Sequence, residues 1–263
     1  MNWYFALSES SIDRPDHEWR DMIRVAVHSA KQHTQLRPHM LYDGEESPFV
    51  AELRTAGVNV IRHRVGFYDA LEQHGTHNPA YLSIASGAFL RFDIPLIETG
   101  EFALYTDCDV VFQCRPNFYT ATKPVLFAAS SQSSLNPATD MNSGVMLINV
   151  PAMRADYLAL VEFTRSNLSL GLDQEILRVF YEGRYQPMDR SLNWKPYWGV
   201  NPLAQIIHFH GPKPTSARHM AVEIGPAIPA DWKLLYLKNR DAYASYGALW
   251  EKLLADYMCN WQL

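Results

Sequence analysis

The chain has 263 residues, 48% of them hydrophobic, and a formal net charge of −5 with a pI near 6.0. This length and apolar content are enough for a large buried core. They exclude a disordered chain and predict one α/β domain, or a domain with a small appendage. The acidic balance excludes an overall field that attracts nucleic acid, so we expect no nucleic-acid partner.

The sequence also carries signals about cellular location. Residues 1–20 have neither the basic start nor the apolar stretch of a signal peptide, and no uninterrupted apolar run reaches the ~18 residues that a membrane span needs. Cys108, Cys114 and Cys259 are odd in number and lack metal-ligand pairing, which favours a reducing compartment. We therefore expect a cytoplasmic protein, although residues 167–169 match a glycosylation acceptor.

Short apolar runs alternate with helical periodicity through the first two thirds of the chain, which predicts βα units around a mainly parallel sheet. The predicted strands are residues 3–7, 40–42, 58–61, 102–106, 144–149 and 206–209. Five helices are predicted. The first contains the apolar positions between residues 19 and 30, the second begins at Ser47-Pro48, and the third begins at Pro151. The fourth follows Gly171, and the fifth covers residues 246–261.

The composition changes near the C-terminus. Aromatic residues become more frequent from about Gly225, which predicts a domain over residues 1–224 and a helical extension over residues 225–263. The last helix carries an apolar stripe made of Leu249, Trp250, Leu253, Leu254 and Tyr257. We expect this stripe to pack on the domain, because only Lys252 adds positive charge nearby and interfacial helices bring several such charges. Peripheral contact with the inner face of a membrane is the alternative.

An acidic pair follows the most apolar strand. Asp107 and Asp109 come directly after residues 102–106, and alternation along an extended chain puts both carboxylates on one side. Two such carboxylates can share a hard divalent cation, or bind a cation and a sugar hydroxyl. A lone D-x-D also ends many strands at a turn. In phosphatases of the haloacid dehalogenase type the motif opens the domain and a glycine-threonine turn follows it, whereas here it lies mid-chain before Val110-Val111-Phe112.

Three later segments extend this pattern: MNSGVMLIN over residues 141–149, LDQEIL over residues 172–177, and HFHGPKP over residues 208–214. With the acidic pair, in this order and at this spacing, they resemble glycosyltransferase family 8 over residues 1–216. The resemblance implies a GT-A fold, an α/β domain whose mixed sheet is flanked by helices. It also implies retaining transfer of glucose or galactose from a UDP-sugar to a glycan or lipid-linked glycan acceptor of a cell-surface polysaccharide.

The resemblance implies a metal site and a diphosphate site. Asp107, Asp109 and His208 match the family's ligands for Mn²⁺, with Mg²⁺ as the alternative cation, and imidazole beside two carboxylates suits manganese. His210 projects to the same side of its strand and is the alternative ligand. Gly211 and Lys213 match the glycine and lysine that hold the diphosphate, although the lysine comes one residue earlier than the family places it.

The resemblance also assigns residues to the donor sugar. Arg91 resembles the helix arginine that contacts the sugar and phosphate region, and Asn142 with Gly144 resembles the N-x-G segment beside the sugar. Asp173 and Gln174 match the catalytic D-Q pair that faces the reacting carbon. Asp173 is equally suited to cap the helix that follows it.

The amino terminus departs from the family. Relatives carry A-x-D-x-N after the first strand to hold uracil and ribose, whereas this chain has Ala6-Leu7-Ser8-Glu9-Ser10. Ser8 and Ser10 remain candidate hydrogen-bonding groups for the donor, and the choice of nucleobase stays open.

Two other function classes stay open at this point. A metal-dependent phosphatase or nucleotidyltransferase would use the same acidic pair, and its mark would be turnover of a simple phosphate ester or a nucleoside triphosphate. A non-catalytic carbohydrate-binding relative would keep the fold and would bind UDP with manganese without hydrolysing a donor.

Overall fold

The computed structural model of the protein describes residues 1–12, 18–118, 123–133, 140–226 and 228–260. The chain forms two compact units, each assembled from three separated segments. The first unit contains Met1–Arg14, Leu36–Asp107 and Phe118–Asp189, and the second unit contains Pro15–Gln35, Cys108–Asn117 and Arg190–Leu263. These units are built from separated segments, whereas the predicted domains were continuous stretches divided after residue 224. The boundary after residue 224 stays a prediction.

The strands, in chain order, are β1 (Asn2–Ser8), β2 (Arg37–Asp43), β3 (Asn59–Arg62), β4 (Phe102–Thr106), β5 (Val110–Phe112), β6 (Phe127–Ser131), β7 (Met141–Asn149), β8 (Gln186–Pro187) and β9 (Ile206–His208). All the predicted strands are present within about two residues of their expected bounds, except that β2 and β7 each begin three residues earlier. Strands β5, β6 and β8 were not predicted.

The first unit is built on a sheet with the strand order β3-β2-β1-β4-β7-β6-β8. Strands β1 to β4 pair in parallel, whereas β7 runs antiparallel to both β4 and β6. Strands β6 and β8 also pair in parallel, so the sheet is mixed and mostly parallel, as expected. The amino end of β7 consequently lies beside the carboxyl end of β4, which is the edge where sites gather in open α/β sheets.

A bulge interrupts the pairing of β6 with β7. Ala129 pairs with Met146, whereas the next residue, Ser130, pairs with Asn142. The residues between them on β7 have no ladder partner on β6, so the strand bends there and can turn polar groups out of the ladder. This bulge lies in the NSG sequence that the motif comparison had singled out.

The helices are α1 (Glu9–Ile12), α2 (Trp19–His33), α3 (Pro48–Thr55), α4 (Tyr68–His74), α5 (Pro79–Ala88), α6 (Ile94–Ile97), α7 (Val150–Ser166), α8 (Asp173–Phe180), α9 (Pro214–Val222), α10 (Ala230–Lys238) and α11 (Arg240–Asn260). Ser47 caps α3 as expected, since its side chain accepts a hydrogen bond from the amide of Val50 at 3.2 Å.

The run Pro79–Ile97, which contains α5, a 3-10 turn and α6, contributes residues to the core of the first unit. Gly87 allows α5 to approach β1, because a Cβ at this position would lie 2.8 Å from the amide nitrogen of Ser8. This run has the length and composition of a membrane span, and just over half of it is buried inside the protein. We interpret it as a core helix, since it carries Arg91 and Asp93 and packs under the sheet.

The second unit pairs β5 antiparallel with β9 and surrounds them with α2, α9, α10 and α11. The last helix begins at Arg240, six residues before its predicted start, and Trp261 lies outside the described residues. Trp250 and Leu253 of its apolar stripe pack with Met22 of α2 and Ile207 of β9. The stripe is thus buried against the chain itself, as expected.

Candidate active site

Asp107 is the last residue of the middle segment of the first unit and follows β4 directly. Its amide donates to the carbonyl of Gly144 at 2.8 Å, which extends the pairing of β4 with β7 by one residue. Its carboxylate Oδ1 accepts from the Tyr105 hydroxyl at 2.9 Å and from the Arg91 guanidinium at 3.1 Å. Two contacts therefore fix the first carboxylate of the acidic pair, and a third fixes its backbone.

Arg91 is the centre of the polar cluster in the first unit. It lies in the 3-10 turn Phe89–Asp93, is 7% exposed, and stacks over the ring of Tyr105 at 4.3 Å. The same guanidinium contacts the carboxylate of Asp173 at 2.9 Å and donates to the carbonyl of Ser143 at 3.0 Å. Burial alone would lower the pKa of Arg91, but the negative field of Asp173, Tyr105 and Asp107 holds it above its usual value.

Asp173 is the first residue of α8, and its side chain does not cap the helix. The carboxylate accepts a hydrogen bond from the Ser143 hydroxyl at 2.8 Å. At the amino end of the helix, the amide of Leu172 instead donates to the side chain of Glu175 at 3.3 Å. The cap interpretation of Asp173 is therefore wrong, because bulge contacts and Arg91 take its oxygens. Burial raises the pKa of Asp173 to about 6, against the opposing effect of Arg91.

The remaining donor-sugar candidates of the first unit form one amide network. Gln174 accepts from the side chain of Asn142 at 3.0 Å and from the amide of Ser143 at 3.1 Å. Its own amide group donates to Gln132 at 2.6 Å. The β7 bulge presents both Ser143 groups to α8, so the N-S-G and D-Q segments meet as one structure.

Ser8 lies in a different part of the first unit. It is buried at the end of β1, where its hydroxyl donates to the carbonyl of Ser83 at 2.7 Å. Together with Ser10 it lines a cavity of about 730 Å³ at the carboxyl ends of β1, β2 and β3.

In the second unit, Asp109 precedes β5 and is 3% exposed. Its carboxylate is paired with the ammonium group of Lys213, and its Oδ1 lies 3.4 Å from Nε2 of His208. Burial would raise the pKa of Asp109, but Lys213 and His208 hold it well below its ordinary value. The backbone adds a further tie, since the amide of Phe209 donates to the Asp109 carbonyl at 2.9 Å.

The structure distinguishes the two histidines of the HFHG segment. Nδ1 of His208 lies 2.9 Å from Oδ1 of the buried Asn193, which leaves Nε2 directed toward Asp109. His210 instead contacts the hydroxyl of Tyr197 at 3.4 Å. Burial, together with the positive field of its neighbours, lowers the pKa of His210 to about 3, so its ring is neutral at physiological pH.

Gly211 and Lys213 form the loop after β9. Gly211 has a φ of +82°, and a Cβ added to it would lie 2.6 Å from Cδ1 of Leu235. Both the backbone conformation and the space therefore require glycine. Lys213 is 8% exposed, and its ammonium donates to the carbonyl of Phe209 at 3.0 Å in addition to its pairing with Asp109.

The sequence-predicted residues thus fall into two groups, which the Asp107-Cys108-Asp109 segment joins covalently. Two residue steps keep the Cα atoms of Asp107 and Asp109 within about 7 Å. The first-unit cluster consists of Arg91, Asp107, Asn142, Gly144, Asp173 and Gln174, and the second-unit cluster consists of Asp109, His208, Gly211 and Lys213. Ser8 stands apart from both, at the cavity.

Sequence reasoning missed several residues of these clusters. Tyr105 lies two residues before Asp107, and Ser143 lies between Asn142 and Gly144, so their closeness in sequence to these motif residues could have indicated them. Asn193 had no such signal, because it reaches His208 through a contact between residues 15 positions apart.

Comparison with known proteins gives no matching family model. The chain is 27% identical over 134 residues to the glycosyltransferase GlyB of Streptococcus pneumoniae, a match that covers 49% of this chain and 33% of GlyB. The chain thus spans about a third of the length of this curated relative.

Solved structures cover more of the chain. The glycosyltransferase GlyE of Streptococcus pneumoniae matches with a TM-score of 0.61 and 16% identity over 98% of this chain and 64% of GlyE. The galactosyltransferase LgtC, solved with donor and acceptor sugar analogues, matches with a TM-score of 0.60 and 19% identity over 89% of this chain and 100% of LgtC. Mouse xyloside xylosyltransferase 1 matches with a TM-score of 0.53 and 18% identity over 80% of this chain and 97% of the xylosyltransferase. These likenesses confirm the GT-A fold.

Proposed function

We propose that this protein is a glycosyltransferase that moves a sugar from a nucleotide-sugar donor to an acceptor hydroxyl. The observation that carries the proposal is a pair of charged clusters, one in each unit, joined by the D-x-D segment that follows β4 of a GT-A sheet. One cluster has the groups to orient a sugar, and the other has the groups to hold a diphosphate. GlyB, GlyE and LgtC, which resemble the chain in sequence or fold, are glycosyltransferases.

The D-x-D segment and His208 support a metal site. Asp107, Asp109 and His208 each offer one ligand atom, and two carboxylates with an imidazole fit Mn²⁺ or Mg²⁺. Oδ1 of Asp109 is buried and accepts no hydrogen bond from the described residues, which suits an oxygen that a cation can bind. When bound, such a cation supplies charge neutralisation for the leaving diphosphate.

Lys213 and Gly211 are assigned to the donor phosphates. Lys213 carries a fixed charge whose position is set by the carbonyl of Phe209. Gly211 lets the backbone of the same loop come close to a ligand, since it has no side chain and a positive φ. The lysine comes one residue earlier than in family 8, and this shorter loop is stabilised by its pairing with Asp109.

The first-unit cluster is assigned to the reacting sugar. With a pKa of about 6, Asp173 is mostly ionised at neutral pH and can stabilise an oxocarbenium-like centre. Arg91 and Ser143 fix the direction of its carboxylate, and Gln174 is held by Asn142. The acceptor attacks from the face of the leaving group, and the departing phosphate takes its proton, which gives retention.

A covalent intermediate on Asp173 is the less favoured variant. Its carboxylate is already bound by the guanidinium of Arg91 and by the hydroxyl of Ser143, and both contacts lower its nucleophilicity. We further propose a UDP-hexose donor, glucose or galactose, and a glycan or lipid-linked glycan acceptor in the cytoplasm, on the resemblance to family 8.

A screen of nucleotide-sugar turnover tests the proposal. UDP-glucose, UDP-galactose and GDP-mannose are incubated with the protein in Mn²⁺ and in EDTA, and release of nucleoside diphosphate is measured by ³¹P NMR. We expect release from a UDP-hexose in Mn²⁺ and none in EDTA, and the anomeric proton coupling of the product should show retention.

The same screen separates the rival functions. Hydrolysis of a simple phosphate ester or of a nucleoside triphosphate, without sugar release, would establish the phosphatase or nucleotidyltransferase. Binding of UDP with Mn²⁺ but no release from any donor would establish a binding protein. Full activity in EDTA would refute the metal site.

A further inference from the structure

The cavity of about 730 Å³ in the first unit lies apart from the groups assigned above. It is formed at the carboxyl ends of β1, β2 and β3, where ligands bind in open α/β sheets. Its lining residues are Ser8, Glu9, Ser10, Tyr42, Asp43, Gly44, Glu45, Arg62, His63, Arg64, Tyr68 and Ser86.

The charges of this cavity do not suit a phosphate. Its two guanidinium groups are already paired, Arg64 with Asp43 at 3.0 Å and Arg62 with Glu45 at 2.5 Å. Glu9 adds a third carboxylate, which accepts from the amide of Glu45 at 3.2 Å. Carboxylates thus outnumber arginines, so the cavity favours an uncharged ligand rich in hydrogen-bond donors, such as a nucleoside.

The ring of His63, in the wall of this cavity, is held by a buried carboxylate. Its Nε2 lies 2.7 Å from the carboxylate of Asp93, which is 1% exposed, and its backbone amide donates to the carbonyl of Tyr42 at 2.9 Å. The hydroxyl of Tyr157 donates to the other oxygen of Asp93 at 2.8 Å. Burial, and then Asp93 itself, raises the pKa of Tyr157, so this hydroxyl remains a donor.

This chain of contacts sets the tautomer of His63. A carboxylate can only accept, so Asp93 takes a hydrogen bond from Nε2–H, and in the neutral ring Nδ1 then keeps its lone pair. The side chain of His63 is 27% exposed and lines the cavity. Among the described residues Nδ1 has no hydrogen-bond partner, so it is the ring nitrogen that can accept from a ligand.

The sequence departure at the end of β1 leaves base recognition to other groups. Ser8 stands in the A-x-D-x-N region, but it is 2% exposed and its hydroxyl donates to the carbonyl of Ser83 at 2.7 Å. His63 lines the same cavity and offers a fixed acceptor.

We propose that His63 selects the nucleobase of the donor, with Asp93 and Tyr157 as positioning residues that fix its tautomer. An acceptor at Nδ1 matches the ring N–H of uracil, thymine or guanine, and it repels the ring lone pair that cytosine and adenine present at the corresponding edge. The proposal rests on the proposed function, since that function brings a nucleotide to this sheet edge.

A matched pair of substitutions tests the inference. Asparagine places its amide near the position of Nδ1, whereas glutamine places its amide near Nε2 and keeps the contact to Asp93. Binding of UDP, GDP, CDP and ADP to the full chain is measured by calorimetry in Mn²⁺. We expect the native protein to bind UDP or GDP at least about tenfold more tightly than CDP or ADP. The preference should persist in His63→Asn and vanish in His63→Gln.

Asp93→Asn tests the tautomer directly. Its amide can donate to Nε2, which moves the proton of His63 to Nδ1 and should turn the preference toward CDP or ADP. His77→Gln, an exposed histidine of the same unit, is the control, and thermal unfolding of every variant shows that the fold persists. Equal preference in His63→Gln and the native protein would overturn the inference, and so would absence of any nucleotide binding or of discrimination by the native protein.

The outcomes separate this inference from the proposed function. Base discrimination that depends on His63, without sugar release from any donor, would refute transfer and leave His63 as the reader of a bound nucleotide. Sugar release with a base preference that no His63 variant changes would refute the inference alone.

Discussion

The two clusters that flank Cys108 satisfy their carboxylates in different ways. In the first-unit cluster, Arg91 faces two carboxylates, and Tyr105 and Ser143 supply further hydrogen bonds to them. In the second-unit cluster, the one carboxylate of Asp109 is paired with a lysine, and its Oδ1 accepts no hydrogen bond from the described residues. Under the proposed function, the first cluster would orient the donor sugar. The second would replace the ammonium group of Lys213 by a metal cation at Asp109.

Asp109→Asn should break the second cluster with the largest effect on activity. We expect transfer to fall by about a thousandfold, because an amide is a poor ligand for a hard cation in place of a carboxylate. Loss of the charge also leaves Lys213 buried without its counter-ion, which should lower the free energy of unfolding.

A double variant separates these two effects. Lys213→Met in the Asp109→Asn background should recover the midpoint of thermal unfolding, measured by circular dichroism, without recovering transfer. Recovery of transfer together with stability would show that Asp109 serves the fold alone.

Asp173→Asn probes the first cluster. The change should lower turnover by about a hundredfold and leave the KM for the donor within about threefold, because a group that acts on developing positive charge contributes mainly in the transition state. Steady-state kinetics with a UDP-hexose in Mn²⁺ give both values. A rise in KM at constant turnover would instead assign Asp173 to ground-state binding.

The raised pKa of Asp173 gives a pH test of the same cluster. Turnover should decline as the pH falls through about 6, and the decline should be absent from the residual activity of Asp173→Asn. Because the folded-state pKa lies above the ordinary value of 3.8, protonation stabilises the fold, and this contribution is lost as the pH rises through about 6. Native protein should therefore lose stability relative to Asp173→Asn between pH 4 and pH 6, as measured by urea unfolding.

The histidines sharpen the comparison within the second cluster. His208→Ala should weaken Mn²⁺ binding by about a hundredfold, whereas His210→Ala should change it by less than about threefold, since His208 faces Asp109 and His210 faces Tyr197. Titration of Mn²⁺ against activity measures both. A larger effect from His210→Ala would move the ligand to the second histidine of the motif.

The sequence predicted the elements whose residues follow one period and left out those that depend on distant partners. Strand β1 and helix α2 carry clear apolar patterns, and both were expected. Strand β6 has the sequence FAASS, whose small residues give no strand signal, and it forms because β7 pairs with it. Strand β5 was missed because its partner β9 lies almost a hundred residues away.

The candidate site shows the same limit. Motif spacing named Asp107, Asp173 and Gln174, yet it did not show that a bulge in β7 brings Ser143 to Asp173. Bulges follow from the register of two strands, which a local pattern does not contain. The same reasoning explains why the cap interpretation of Asp173 was wrong, since its partner Arg91 is distant in sequence.

The smallest expected effect concerns the loop of the second cluster. Gly211→Ala forces a Cβ to within 2.6 Å of Leu235 and places alanine at a φ of +82°, so it should lower stability by about 2 kcal/mol. Leu235→Ala in the same chain removes the clash but leaves the backbone strain, so the double variant should recover part of the loss relative to Leu235→Ala alone. Urea unfolding of the four proteins gives the coupling energy. Because Gly211 and Lys213 share a loop, we also expect a weaker affinity for UDP in Gly211→Ala. Unchanged UDP affinity in the destabilised variant would separate the glycine from the diphosphate and leave it a requirement of the fold.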